Sequence, residues 1–160
     1  MCERVVELAR PAGAVVIVND RVDIARLSQA DGVHVGQEDL SPRSVRRVVG
    51  AEAIVGLSTH TPEQVDLAVR EPVTYIAIGP VFSTDTKATG YETLGLEPVR
   101  RAAGAARERA LPLVAIGGIT LETASSVIDA GATSVAVIND LVAGGDPATR
   151  VRAYLARLTV

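Results

Sequence analysis

The chain has 160 residues, 48% of them hydrophobic, and a formal net charge of −3, which is typical of one globular domain. Lys and Arg are dispersed, and the aromatic residues are three Tyr and one Phe, so a nucleic-acid partner is not expected. No apolar run approaches the ~20 residues needed to cross a bilayer, and no signal-like segment opens the chain. We therefore expect a cytoplasmic protein without a membrane partner.

Short apolar segments that recur along the chain are predicted to be buried strands. They cover residues 14–18, 32–35, 53–56, 74–78, 112–116 and 134–137. Helical patterns lie between them, and successive strands begin about 20 residues apart, except for one step of about 38 residues before the fifth strand. One β/α unit therefore recurs along the chain, as a layered parallel architecture requires.

Two of the predicted helices have clear start signals. Ser41 precedes a proline at the start of one helix, and Thr61 precedes another. We expect Thr61 to cap its helix, Pro62 to occupy the first helical position and Gln64 to complete a capping box. Repeated units of this kind form either a barrel or an open doubly wound sheet, and periodicity does not choose between them. The G-x-G-x-x-G fingerprint that would favour the open sheet is not in the sequence.

In both architectures the ligand lies at the carboxyl ends of the strands, so the polar residues that follow each strand are candidate site residues. In chain order they are Asn19, Asp20, Gln37, Glu38, Asp39, Ser58, His60, residues 79–87, Gly117, Gly118, Asn139 and Asp140. The long step contains residues 79–93, a segment rich in Gly, Pro, Thr and Asp, which is typical of a functional loop.

Asp20 and Asp39 follow two successive strands and are predicted to bind Mg²⁺. A hard cation of this kind takes one or two protein carboxylates and keeps water and substrate phosphates as its other ligands. The alternative is that each Asp caps the helix that follows it, near Val22 and near Ser41. Glu38 is a rival metal ligand beside Asp39.

Gly117 and Gly118 follow the fifth strand and are predicted to let backbone N–H groups approach a phosphate. The final strand supplies Ile138 and Asn139, whose amides would complete this phosphate site. A plain tight turn also explains the two glycines.

Lys87 lies in the long loop with Thr84 and Thr86, a set of donors that suits a second phosphate or a diphosphate leaving group. A solvated surface lysine is the alternative. His34 falls inside a strand and is predicted to be a hydrogen-bonded barrel histidine rather than a base, while His60 is open to either role. No Ser, His and acid set has evident triad spacing, so a hydrolase is not expected.

Five motifs of the sequence resemble those of a known family, in the same order along the chain and at similar intervals. The segments that carry the resemblance are residues 18–21 (Val-Asn-Asp-Arg), 31–39 (Asp-Gly-Val-His-Val-Gly-Gln-Glu-Asp), 56–60 (Gly-Leu-Ser-Thr-His), 79–87 (Gly-Pro-Val-Phe-Ser-Thr-Asp-Thr-Lys) and 115–119 (Ala-Ile-Gly-Gly-Ile). Together they resemble thiamine-phosphate synthase. The resemblance implies a TIM (β/α)8-type barrel, here with about six parallel β/α units, and a transferase that joins 4-amino-2-methyl-5-hydroxymethylpyrimidine diphosphate to 4-methyl-5-(2-phosphoethyl)thiazole with release of diphosphate.

The resemblance also implies residue roles. Asp20 and Asp39 bind Mg²⁺, and Asn19, Ser58 and Lys87 hold the pyrimidine diphosphate, with Lys87 and Ser58 as catalytic residues. The thiazole phosphate is surrounded by Thr84, Asp85, Thr86, Gly118, Ile138 and Asn139. The implied partners are these two small molecules, and a homo-oligomer is possible.

Two departures from the family pattern qualify this interpretation. Residues 1–160 are expected to form one partial barrel domain, because the family's first two β/α units and their diphosphate-clamping segment have no counterpart before Ala14. Asn139 stands where serine is common, a change that a backbone contact would survive. Two other functions are therefore also considered: a truncated or non-catalytic phosphate-binding relative, and a thiazole tautomerase, against which the Asn19-Asp20 and Gly79-Pro80 pairs argue.

Overall fold

The computed structural model describes residues 1–84 and 90–158. Its strands are β1 (Ile17–Asn19), β2 (Gly32–Val35), β3 (Ile54–Thr59), β4 (Tyr75–Ile78), β5 (Leu113–Ile116) and β6 (Ser134–Ala136). Its α-helices are α1 (Cys2–Ala9), α2 (Val22–Leu27), α3 (Pro42–Val49), α4 (Pro62–Ala68), α5 (Leu96–Glu108), α6 (Leu121–Asp129), α7 (Asn139–Val142) and α8 (Pro147–Leu158), and a 3₁₀ turn (Arg10–Ala12) follows α1. Among the described residues, no helix is both long enough and apolar enough to span a bilayer.

The six strands form one parallel sheet in the order β1-β2-β3-β4-β5-β6. Each strand pairs with the next along the chain, for example His34 with Gly56 and Gly56 with Tyr75. The sheet curls into a half-barrel with a helix between successive strands. The predicted parallel α/β barrel architecture is therefore confirmed, with six β/α units.

Burial separates the two faces of the sheet. Val33, Val35 and Val55 alternate along their strands with His34 and Gly56, and each of these three valines is 0% exposed. They belong to the core that the sheet shares with the helices, whereas His34 and Ser58 on the other face are only half-buried. The helix-facing side therefore carries the hydrophobic core, and the concave side is available for polar chemistry.

β1 and β3 differ most from their predicted bounds, while β4, β5 and β6 each differ by one residue at one end. β1 begins at Ile17 rather than at residue 14, because its partner strand begins only at Gly32 and the two residues pair. β3 continues to Thr59 instead of ending at Gly56, because Thr59 pairs with Ile78. The Thr59 side chain is fully buried, and its hydroxyl donates to the carbonyl oxygen of Ala77 at 2.7 Å. Ser58 was predicted to follow the third strand; it lies within β3.

The predicted helix starts are confirmed, with one change of partner. Ser41 caps α3 by accepting from the Ser44 amide, and Thr61 caps α4 by accepting from the Gln64 amide. The Gln64 side chain does not close a box with Thr61. Its Oε1 instead accepts from the His60 amide at 2.7 Å, one residue earlier, so it stabilises the end of β3 together with the start of α4.

Candidate active site

Asn19 and Asp20 lie at the carboxyl end of β1. The Asp20 amide donates to the His34 carbonyl oxygen of β2 at 2.8 Å, and the Asp20 carbonyl accepts from the Val22 amide at 3.1 Å. Asp20 has φ +63°, a left-handed conformation that is uncommon for a residue with a side chain. Strained backbone of this kind is concentrated at functional sites, and here it accompanies a carboxylate at the end of a strand.

Asp39 follows β2 and orders the turn after that strand. Its Oδ2 accepts from the Gly36 amide at 2.7 Å. The alternative that Asp20 and Asp39 cap helices is wrong: α2 has Arg21 at its N-cap without a side-chain cap bond, and α3 is capped by Ser41. Neither carboxylate is therefore explained by helix capping.

The candidate metal ligands of this face are the carboxylates that follow β1 and β2. Over residues 1–84 and 90–158, no cluster of three or more His, Cys, Asp or Glu side chains comes together to hold a metal ion. Asp20 and Asp39 follow β1 and β2, which are adjacent in the sheet. Two carboxylates on neighbouring strands fit a Mg²⁺ ion that takes its remaining ligands from water and substrate phosphates.

Ser58 lies on the concave face and is hydrogen-bonded to His34. His34 Nε2 and Ser58 Oγ are 2.8 Å apart, and His34 Nδ1 is 2.9 Å from the Tyr75 hydroxyl. Gln37 donates from its side-chain amide to the Ser58 carbonyl oxygen at 2.6 Å. His34 is therefore the hydrogen-bonded barrel histidine that was predicted. Tyr75 was missed, although it is a single tyrosine in an otherwise apolar strand.

Gly117 and Gly118 have left-handed backbone conformations and contact the loop that follows β4. The Phe82 amide donates to the Gly117 carbonyl oxygen at 3.0 Å. A Cβ at Gly118 would lie 2.8 Å from the Phe82 carbonyl carbon and would overlap the Ser83 carbonyl oxygen. These glycines therefore permit close packing of two loops at the mouth of the half-barrel, in addition to any phosphate they bind.

The long loop after β4 is closed at its base by backbone hydrogen bonds. The Leu94 amide donates to the Pro80 carbonyl oxygen and the Gly95 amide to the Val81 carbonyl oxygen, each at 2.9 Å. The peptide bond between Gly79 and Pro80 is cis. Thr84 is described and half-buried. Three of the predicted ligand-binding residues, Asp85, Thr86 and Lys87, lie outside the described residues.

His60 follows β3 and makes two contacts with the segment that follows β4. Its Nδ1–H donates to the Gly79 carbonyl oxygen at 2.6 Å. Its ring stacks on Tyr91, with centroids 4.0 Å apart and planes 13° apart. The Tyr91 hydroxyl also accepts from the Gln64 side chain at 3.4 Å. His60 therefore links the end of β3 to the loop that follows β4.

Ile138 and Asn139 are exposed, and Asn139 begins α7. Next to them, the Asp140 carboxylate accepts from the Leu121 amide at 3.1 Å, from Arg150 through two nitrogens at 2.8 and 3.0 Å, and from the Tyr154 hydroxyl at 2.5 Å. Hydrogen bonding to the Arg150 guanidinium is the main cause that lowers the pKa of Asp140 from its usual value. Asp140 therefore joins α6, α7 and α8 as a structural anion, a role that its position after the sixth strand did not reveal.

Comparisons with known proteins agree with this geometry. A sequence profile described as thiamine monophosphate synthase matches residues 1–141. The thiamine-phosphate synthase of Koribacter versatilis is 47% identical over 152 residues, 95% of this chain and 70% of the relative. That of Roseiflexus sp. is 47% identical over 146 residues, 91% of this chain and 61% of the relative.

Among solved structures, thiamine phosphate pyrophosphorylase from Pyrococcus furiosus superposes with a TM-score of 0.85 at 28% identity, covering 98% of this chain and 75% of that protein. The chain thus spans 61% to 70% of the length of the two curated relatives.

Proposed function

Because the chain belongs to the thiamine monophosphate synthase family, we propose that the carboxyl-end face of its half-barrel binds a pyrimidine diphosphate and a thiazole phosphate and joins them into thiamine phosphate. One observation carries the proposal: Asn19, Asp20, Ser58 and Gly118 all lie at or next to the carboxyl ends of strands in one parallel sheet, where barrel enzymes bind their substrates.

We assign the pyrimidine diphosphate to the side of the face formed by β1 to β3. Asn19 and Ser58 would bind it there, and Asp20 and Asp39 would hold Mg²⁺. The bound ion would neutralise negative charge on the departing diphosphate. Through the family resemblance Lys87 is assigned to the pyrimidine diphosphate, whereas Asp85 and Thr86 are assigned to the thiazole phosphate. All three lie outside the described residues.

The thiazole phosphate is assigned to the opposite side of the face. Backbone amides at Gly118, Ile138 and Asn139, together with Thr84, would bind its phosphate. The exposure of Ile138 and Asn139 supports this, because a ligand can reach them from solvent.

The reaction needs positioning and charge stabilisation more than it needs a protein nucleophile. The thiazole nitrogen forms a bond to the pyrimidine methylene carbon, the bond from that carbon to the diphosphate oxygen breaks, and its electron pair leaves with the diphosphate. The residues of the chain hold the two reactants within reach of each other and stabilise the leaving group.

The test is formation of thiamine phosphate from both substrates and Mg²⁺, followed by chromatography, with the Koribacter versatilis relative as the positive control. The chain is expected to bind both ligands and to form thiamine phosphate from them. Turnover that survives Ser58→Ala and Asp20→Ala together would refute the assigned site. Binding of both ligands without any turnover would favour a phosphate-binding relative, and proton transfer on the thiazole alone would favour a tautomerase.

A further inference from the structure

A chain of hydrogen bonds crosses the concave face and ends at Ser58. It begins at the Tyr75 hydroxyl on β4, passes through both ring nitrogens of His34 on β2, and reaches the Ser58 hydroxyl on β3 with separations of 2.9 and 2.8 Å. The His34 and Tyr75 rings are stacked, with centroids 5.5 Å apart and planes 25° apart. The three side chains therefore form one connected unit.

The strand register makes room for this unit. Gly56 on β3 pairs with His34 on one side and with Tyr75 on the other. A Cβ at position 56 would lie 2.5 Å from His34 Nδ1 and would overlap the Tyr75 ring. Glycine at this position thus permits two side chains from strands that are not adjacent to meet above it.

The chemistry of the chain determines what the Ser58 hydroxyl can do. Burial raises the pKa of Tyr75 above its usual value, so its phenol keeps its proton at neutral pH. A neutral imidazole has one donor and one acceptor nitrogen. When Tyr75 donates to Nδ1, His34 donates from Nε2 to Ser58 Oγ. The hydrogen of the Ser58 hydroxyl is then left for another acceptor.

We propose that Tyr75 and His34 are positioning residues that act through Ser58, holding its hydroxyl so that it donates to the pyrimidine diphosphate. This inference rests on the proposed function, because it takes Ser58 to be a ligand of that substrate. The backbone of Ser58 is also held, since its carbonyl oxygen accepts from Gln37. The position of the hydroxyl is thus set before the ligand arrives, and in the tautomer in which His34 donates from Nε2 the hydroxyl hydrogen is available to the ligand.

A double-substitution cycle tests the inference, because a residue that acts through Ser58 has no effect once the Ser58 hydroxyl is gone. The chain, Tyr75→Phe, Ser58→Ala and the double variant are titrated with the pyrimidine diphosphate and Mg²⁺ by calorimetry, with the thiazole phosphate withheld. Tyr75→Phe should raise Kd by roughly fivefold when Ser58 is present, the size of one hydrogen bond. It should change Kd less than about twofold in the Ser58→Ala background. His34→Gln provides a second cycle with the same expectation.

Tyr154→Phe is the matched control, since it also removes a hydrogen-bonded tyrosine hydroxyl, one that donates to Asp140. It should leave Kd unchanged in both backgrounds. Equal effects of Tyr75→Phe with and without Ser58, or no effect in either, would overturn the positioning role while leaving the proposed function intact. If the unsubstituted chain bound no pyrimidine diphosphate, the proposed function would fail and this inference with it.

Discussion

Gly56 lies directly beneath the contact between Tyr75 and His34, and a Cβ at this position would lie 2.5 Å from His34 Nδ1. Gly56→Ala should therefore force the two side chains apart and lower the free energy of unfolding by about 1–3 kcal/mol, the usual cost of overpacking. Denaturant unfolding measures this loss. Gly104→Ala on α5 is the control: nothing lies within 4 Å of its added Cβ, so the same change should stabilise the helix by about 0.5–1 kcal/mol. An unchanged stability of Gly56→Ala would contradict the packing described.

Asp20→Ala and Asp39→Ala should each weaken Mg²⁺ binding in the presence of the pyrimidine diphosphate, since each removes one of two protein carboxylates from a hard cation. We expect a rise in Kd of roughly tenfold or more, about 1.4 kcal/mol, measured by calorimetry. Asp129→Ala is the control, because Asp129 is an exposed acid at the far end of α6. The two-carboxylate site is wrong if both variants bind the metal as tightly as the control does.

Asn139→Asp should weaken binding of the thiazole phosphate by roughly tenfold or more, because the change is nearly isosteric and places a negative charge beside the proposed phosphate position. A carboxylate in the first turn of α7 should not disturb the fold. Asn139→Ala should bind within about twofold of the unsubstituted chain, because the proposed contact uses the backbone amide. Calorimetry measures the affinity of the thiazole phosphate for the unsubstituted chain and the two variants. Equal affinities for all three proteins would mean that the phosphate binds elsewhere.

Asp140→Asn should lower stability at pH 7 by about 1 kcal/mol, because it removes a charge-assisted contact with Arg150 that is partly screened by solvent. The pKa of Asp140 is lowered in the folded state, so its contribution is present above the usual Asp pKa of about 3.9. The contribution is lost as the pH falls through the lowered value. Denaturant unfolding at pH 7 and under acid should thus show a difference between the two proteins that shrinks as the pH falls. A difference that stayed constant would mean that the charge of Asp140 is not what stabilises the fold.

The number and type of the strands could be predicted because buried parallel strands are short apolar runs, and the helices between them have the expected caps. The bounds of β1 and β3 could not, since they depend on where the neighbouring strand begins. Ser58 and Thr59 are polar residues that join a strand through pairing with Ala77 and Ile78, and the apolar pattern alone does not show this.

The sequence predicts which residues belong to the candidate site better than it predicts which of them contact each other. Polar residues after consecutive strands indicate a shared edge, but the contact of His34 with Tyr75 joins residues 41 positions apart and depends on the register of three strands. The capping roles considered for Asp20 and Asp39 follow from proximity in sequence, and Arg21 and Ser41 occupy those capping positions instead.

In β2 and β3, residues that face the helices alternate with residues of the concave face. The first group includes Val33, Val35 and Val55, and the second includes His34 and Gly56. The two groups are therefore under different selective constraints. Substitutions at the three valines change the packing against the helices and should be tolerated rarely. Substitutions of polar side chains on the concave face, such as Ser58, should alter ligand recognition without removing the hydrophobic core. A related protein could therefore acquire a new substrate through point mutations on the concave face. On the helix-facing side, tolerated substitutions should be limited to apolar side chains of similar volume.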